Sequence, residues 1–361
     1  MLRRWWLGLV VAVLLAGCSS VGVEGGSDPT ATDAPAATST TTTLSAGTTT
    51  TTFAPGIVDA ERYLLDAMGL VETQGLLAGR IDWDARRAEA AEVAATAVRP
   101  SELHRFIRQL LDDLGDNHWM FDADPESESP PEEAVVELLP TSELVEDRIG
   151  LVALGPWPLG PEEAPRYTQA AYEAMRDLEA GGVCGWIIDL RTNHGGYTLP
   201  MLASVAPIIT DLQHDGTDPL YLGLMTDVAG DEYPFVYDGN SVEIKPWASM
   251  TLIEPYHLNN PAAPVAVLIG GGTASSGEMT TTVFYGRPDT RIFGFPTAGK
   301  PAGTGPYILE DGAVMTFALT YFTDRQGYQY QPTEPLHPDE STGGTRPAID
   351  WLLTQPACNP N

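Results

Sequence analysis

Ser275 lies in Gly270-Gly-Gly-Thr-Ala-Ser-Ser-Gly-Glu-Met279, a stretch whose composition suits nucleophilic chemistry. Acyl transfer needs a nucleophile, a base to take its proton, and amide donors aimed at the developing oxyanion. A serine at a helix start, with glycine backbone beside it, offers the first and the third. The same residues also fit a plainer pattern, since Ser275-x-x-Glu278 is a capping box in which serine covers an N3 amide and glutamate reaches back. Two bases compete. Lys300 is one of only two lysines in a chain that otherwise uses arginine; a desolvated lysine can act as a general base, which arginine cannot. An ordinary turn residue is the alternative reading of Lys300. His118, in Asp116-Asn-His-Trp-Met-Phe121, stands beside an acid and large apolar side chains, a setting that can fix an imidazole tautomer and hold water away. Without such partners a histidine after a helix is polar punctuation.

The elements that must position these residues follow from periodicity. Residues 264–269 read as a short buried strand bounded by Pro264 and glycines, and residues 278–285 as the helix that the serine turn opens. Residues 183–190 form a second apolar strand running into Arg191-Thr-Asn-His-Gly-Gly196, with a helix over 199–212 behind it. Residues 291–295 form a third, followed by Pro296-Thr-Ala-Gly-Lys300. With a strand at 148–154 and a helix over 161–180 that Gly181-Gly182 ends, the alternation implies a mainly parallel sheet with right-handed crossovers. The three glycine-bearing loops then gather on one sheet edge, where open α/β sheets place their ligands. Asp238-Gly239 marks a hairpin in 221–246, read as a small excursion from that sheet. Residues 307–330 look like paired strands turning at Asp311-Gly312 and Gln326-Gly327.

Residues 56–121 read as an N-terminal helical domain. Apolar residues recur at helical spacing over 57–77, alanines fill 83–98, and Pro100-Ser-Glu starts a third helix that ends at Gly115. Residues 122–147 are acidic, carry Pro130-Pro131, and are too short for a domain; they read as a linker or cap segment. The α/β core is expected over 148–356.

Before the helices, a basic start, an apolar run over 5–16 and Leu15-Ala-Gly-Cys18 make a signal peptide over 1–17 that is too short to span a bilayer. The tetrapeptide is similar to a bacterial lipobox, which would put a lipid on Cys18 and anchor the protein to the membrane at the cell envelope, outside the cytoplasm. Residues 18–55 are rich in Thr and Ser and nearly uncharged, a flexible tether with an end-to-end distance of about 30–35 Å. The net charge of −30 argues against nucleic acid as a partner, because a polyanion is repelled and no basic cluster offsets that. Cys184 and Cys358 are free to pair or to stay as buried thiols. No Cys/His cluster has metal spacing, so neither metal nor cofactor is expected.

Taken in order, Ile188-Asp-Leu-Arg-Thr-Asn-His-Gly-Gly196, Thr273-Ala-Ser-Ser-Gly-Glu278, Gly294-Phe-Pro-Thr-Ala-Gly-Lys300 and His337-Pro-Asp339 resemble the successive motifs of the tail-specific, or C-terminal processing, serine peptidases of the S41 type. The resemblance runs loosely over 57–340. It implies a ClpP/crotonase-like core, a peptide or protein substrate and an acyl-enzyme formed on Ser275. Gly195 or Gly196, with the amide of Ser276, would form the oxyanion hole. Members with a serine and lysine carry a PDZ domain and a glutamine four residues after the lysine. Here there is no room for a PDZ domain, and Thr304 stands at the glutamine's place. The chain is closer to the PDZ-less branch resembling the tricorn core and the nisin-resistance protein, in which an Asp-x-His motif supplies the base. That makes His118 the first choice and Lys300 the second, with Glu334 a late acid to orient the histidine, out of step with the usual spacing. The competing class is a non-catalytic binding protein on the same fold, as in the interphotoreceptor retinoid-binding proteins.

Overall fold

The computed structural model describes residues 59–124, 138–209 and 218–359. The signal peptide, Cys18, the tether and much of the acidic segment lie outside the described residues.

Three helices come first, α1 (Ala60–Gln74), α2 (Trp83–Thr96) and α3 (Pro100–Leu114). Carboxylates mark each start, covering a first-turn amide in α1 and α2 and reaching back to the preceding amides in α3. Asp59 accepts from Arg62 N at 3.1 Å, Asp82 accepts from Ala85 N at 3.1 Å, and the Glu102 carboxylate takes the amides of Val98 and Arg99. α3 buries Leu103, Phe106, Ile107, Leu110, Leu111 and Leu114, one stripe at helical spacing. Gly115 ends it with a left-handed φ of 67°, a conformation that favours glycine.

One sheet carries the expected alternation. Its strands are β2 (Thr141–Val145), β3 (Ile149–Ala153), β4 (Gly185–Asp189), β9 (Val265–Ile269), β10 (Thr290–Gly294) and β13 (Glu340–Ser341), in the order β13-β10-β9-β4-β3-β2. All neighbours are parallel except the edge pair β2–β3. β2 arises within the stretch that reads as a linker. The central strands β3, β4 and β9 are buried on both faces, which is why they read as unbroken apolar runs. In β9, Val265, Val267 and Ile269 enter the main core, shared with α4 (Ala164–Ala180) and α5 (Thr198–Ile209). Ala266 and Leu268 point the other way, towards α7 (Arg346–Thr354). A disulfide between Cys184 and Cys358 fastens the chain end after α7 to the start of β4, resolving the pairing that the sequence left open.

The expectation of a mainly parallel core is corrected by a second sheet, antiparallel throughout. It comprises β1 (Met120–Asp122), β5 (Leu220–Asp227), β6 (Glu232–Tyr237), β7 (Ser241–Ile244), β8 (Ala248–Thr251), β11 (Ala302–Ile308) and β12 (Val314–Thr323). The hairpin at Asp238-Gly239 is real, with Asp238 N donating to Ser241 O at 3.2 Å and Gly239 at φ 91°. It is no small excursion, because β5 pairs with β12 and makes β5–β8 one wing of a seven-stranded sheet. Nor do the N-terminal helices stand alone, since Leu309, Ala313, Met315 and Phe317 of the β11–β12 ribbon complete their core.

Candidate active site

The loops after β4, β9 and β10 meet at the carboxyl edge of the parallel sheet, as the strand–turn–helix pattern implies. They are bonded to one another. Thr273 Oγ1 donates to Leu190 O at 2.8 Å, Ala274 N to Asn193 O at 2.9 Å and Ala298 N to Thr273 O at 2.9 Å.

Ser275 is the residue before helix α6 (Ser276–Thr282). It is held at φ 55° and ψ −122°, a left-handed φ that a side chain adopts only when the surroundings impose it. Ser275 and Glu278 form the capping box: the Glu278 carboxylate accepts from Ser275 N at 2.9 Å, and Ser275 is half-buried at the sheet edge.

Gly195 faces it so closely that a Cβ there would stand 2.6 Å from the Ser275 Cβ. At Gly196, φ 119°, a Cβ would fall 2.0 Å from Trp157 O, so both positions must be glycine. The two are not equivalent as donors. Gly195 N is spent on Asn193 Oδ1 at 2.9 Å, which removes it from the pair offered for the oxyanion. Among the described residues, the amides of Gly196 and Ser276 have no acceptor. The Ser276 hydroxyl locks the two loops together, bonding Gly196 O at 2.7 Å and Thr198 Oγ1 at 2.7 Å.

Glu278 is fully buried and gathers more than the serine amide. It accepts from Gly299 N at 3.0 Å, Lys300 N at 2.8 Å and the Thr297 hydroxyl. Burial pushes its carboxyl up from the ordinary range, against the pull of these donors. The half-buried Lys300 is thereby tied through its backbone to the serine turn.

His118 reaches this region from the loop between α3 and β1. Asp116, 1% exposed, does not orient its ring. One carboxylate oxygen takes His118 N at 3.0 Å and the other takes Ala318 N of β12 at 3.1 Å, so the acid fixes the loop backbone to the antiparallel sheet. Burial is the main cause that lowers the imidazole pKa to about 4; the Lys300 charge adds to it and Asp116 opposes it. Lys300 and His118 are thus within electrostatic reach. Nδ1 is buried without a partner, and no described residue forms a hydrogen bond with the ring.

Glu334 is not placed to orient it either. Its carboxylate accepts from the Tyr328 hydroxyl and from Gln331 N at 3.0 Å. No hydrogen bond joins the Ser275 hydroxyl to His118 or Lys300 among the described residues. Asn193, which shapes the turn, has no role assigned from sequence, and Glu278 only that of a helix cap. Their spacing within Asn-x-Gly-Gly and Ser-x-x-Glu was the available signal.

A serine on a strained turn, two amides without acceptors and a buried imidazole are the kinds of group that acyl transfer calls on. Residues 148–342 match the model of Peptidase family S41, more than half of the 361-residue chain, and the chain belongs to that family. It is 24% identical over 296 residues to the nisin-resistance protein of Lactococcus lactis subsp. lactis, covering 82% of this chain and 87% of that protein. A solved lipoprotein from Streptococcus agalactiae has the same fold, with a TM-score of 0.64 at 24% identity over 81% of this chain and 96% of that one. The photosystem II D1 C-terminal processing protease also shares it, with a TM-score of 0.52 at 15% identity over 79% and 93% of the two chains.

Proposed function

We propose that the protein is an extracytoplasmic serine endopeptidase in which Ser275 attacks a peptide carbonyl and His118 is the general base. The carrying observation is the Ser275 turn: its φ of 55° holds the serine at the helix start beside the unspent amides of Gly196 and Ser276. In this reading Nε2 of His118 takes the hydroxyl proton as the C–O bond forms. The two amides stabilise the tetrahedral oxyanion, at roughly 3–4 kcal/mol per donor. The protonated imidazole then gives its proton to the departing amine as the C–N bond breaks, and water, deprotonated by the same ring, releases the acyl group.

Substrates are peptides or proteins, in keeping with the family. A place in the cell envelope is supported by the signal-like first residues, by the Cys184–Cys358 bond, which belongs to oxidising compartments, and by the lipoprotein among the structural relatives. Anchoring through Cys18 belongs to the same proposal.

A fluorophosphonate probe should label the wild type and fail to label Ser275→Ala; absence of labelling in both would favour a binding protein. The proximity of Lys300 supports a second reading, a Ser275/Lys300 dyad. Turnover decides between the two, because losing the true base costs orders of magnitude: His118→Ala should be the more damaged of the pair His118→Ala and Lys300→Ala.

A further inference from the structure

The strand that leaves the candidate site has one side open. β11 begins at Ala302, two positions after Lys300, and among the described residues pairs only with β12. Which of its main-chain groups face outward follows from its partner. Ala318 of β12 sends both of its backbone groups away from β11, donating to Asp116 Oδ2 at 3.1 Å and accepting from Leu76 N at 3.1 Å. Its register partner on β11 is Thr304. In an antiparallel ladder such a position is a non-hydrogen-bonded pair, so Thr304 directs its own N–H and C=O to the open side. With a period of two, Pro306 and Ile308, opposite Thr316 and Val314, do the same.

The outward row is therefore the Thr304 N–H and C=O, the Pro306 C=O, and the Ile308 N–H and C=O. The side chains of Thr304, Pro306 and Ile308 are exposed, Ile308 by 61%. Unpaired strand edges invite another strand, and proteins blunt them with proline or charge. This edge has one proline and no charged side chain among its seven residues, Ala-Gly-Thr-Gly-Pro-Tyr-Ile.

We infer that the open edge of β11 is the docking rail for an extended polypeptide substrate, which adds to the antiparallel sheet as a strand and is led along Ala302 towards the Ser275 turn. The inference rests on the peptidase reading. The occupant is argued from continuity: the Lys300 amide that precedes the rail and the Ser275 amide share the Glu278 carboxylate, so a chain paired with β11 is delivered beside the hydroxyl. Strand addition draws affinity from main-chain bonds and is tolerant of sequence. The rail therefore selects unfolded or extended segments and excludes folded ones.

The test uses Ser275→Ala, which leaves the probe intact, and fluorescein-labelled casein as an unstructured polypeptide. Hydrogen exchange of the Thr304 and Ile308 amides should slow on binding. By fluorescence anisotropy, the Ser275→Ala/Thr304→Pro protein should bind about tenfold more weakly than Ser275→Ala/Thr304→Ala, the cost of one lost main-chain donor. Pro306 on the same row shows that the edge accommodates proline. Should the proline variant fail to fold, the exchange measurement on Ser275→Ala decides alone. Equal affinities of folded variants, protection only outside residues 302–308, or no binding of casein would each overturn the rail. Failure of the peptidase reading looks different: β11 becomes protected while the wild type neither cleaves casein nor takes the fluorophosphonate.

Discussion

His118 and Lys300 are coupled by charge, and that coupling is measurable. If His118 is the base, as proposed, its imidazole must be neutral to accept a proton, and with its pKa lowered to about 4 it stays neutral across the physiological range. The acid limb of kcat/KM should therefore lie near pH 4. Replacing Lys300 with methionine removes a neighbouring positive charge, so the ring binds its proton more readily and the limb moves to higher pH. Burial, the larger cause, remains and keeps it below the ordinary 6.5. A pH profile of the Lys300→Met enzyme checks this; loss of activity at every pH would identify Lys300 as the base. Because the folded state holds His118 neutral where the unfolded chain would protonate it, the same group makes folding stability fall as pH drops from about 6.5 towards 4.

The serine turn and the lysine loop are held by one side chain. Glu278 accepts from four donors in a fully buried position, and hydrogen bonds to a charged group are worth about 1.5–3 kcal/mol each. Glu278→Gln keeps the size but forfeits the charge and turns two lone pairs into donors facing donors. It should lose at least about 3 kcal/mol of stability, read from the urea midpoint at constant slope, with kcat falling more than KM changes. The spacing Ser-x-x-Glu was visible in the chain, but only as a helix cap. Its contacts to Thr297, Gly299 and Lys300 come from a loop after a different strand, which no local pattern encodes. The central parallel strands β3, β4 and β9, by contrast, were legible because burial on both faces writes a continuous apolar run. β5–β8 were misjudged in rank for the opposite reason. Their hairpin is local, whereas β12, which joins them to the helices, arrives almost a hundred residues later. Asp116 carries the same lesson, since adjacency suggested an imidazole partner and the backbone of Ala318 took its oxygen instead.

Across the whole molecule, the Cys184–Cys358 bond closes a loop with a sequence separation of 174 that contains Ser275 and Lys300. It also secures α7 against β4 and β9, where Ala348, Ile349 and Leu352 are packed with Ile187 and Leu268. Replacing both cysteines with serine should cost about 2–5 kcal/mol and lower the thermal midpoint. Reductant should reproduce the loss in the wild type and do nothing further to the variant.

The hydroxyl belongs to the parallel sheet, while the loop that brings the imidazole is pinned by Asp116 to the antiparallel one. In the Ser275–His118 reading, neither layer owns a working pair. A nascent chain exposes His118 long before Ser275 exists, and even a finished chain whose two layers have not yet closed on each other stays chemically mute. On that reading the protein is spared from digesting itself while it is still soft.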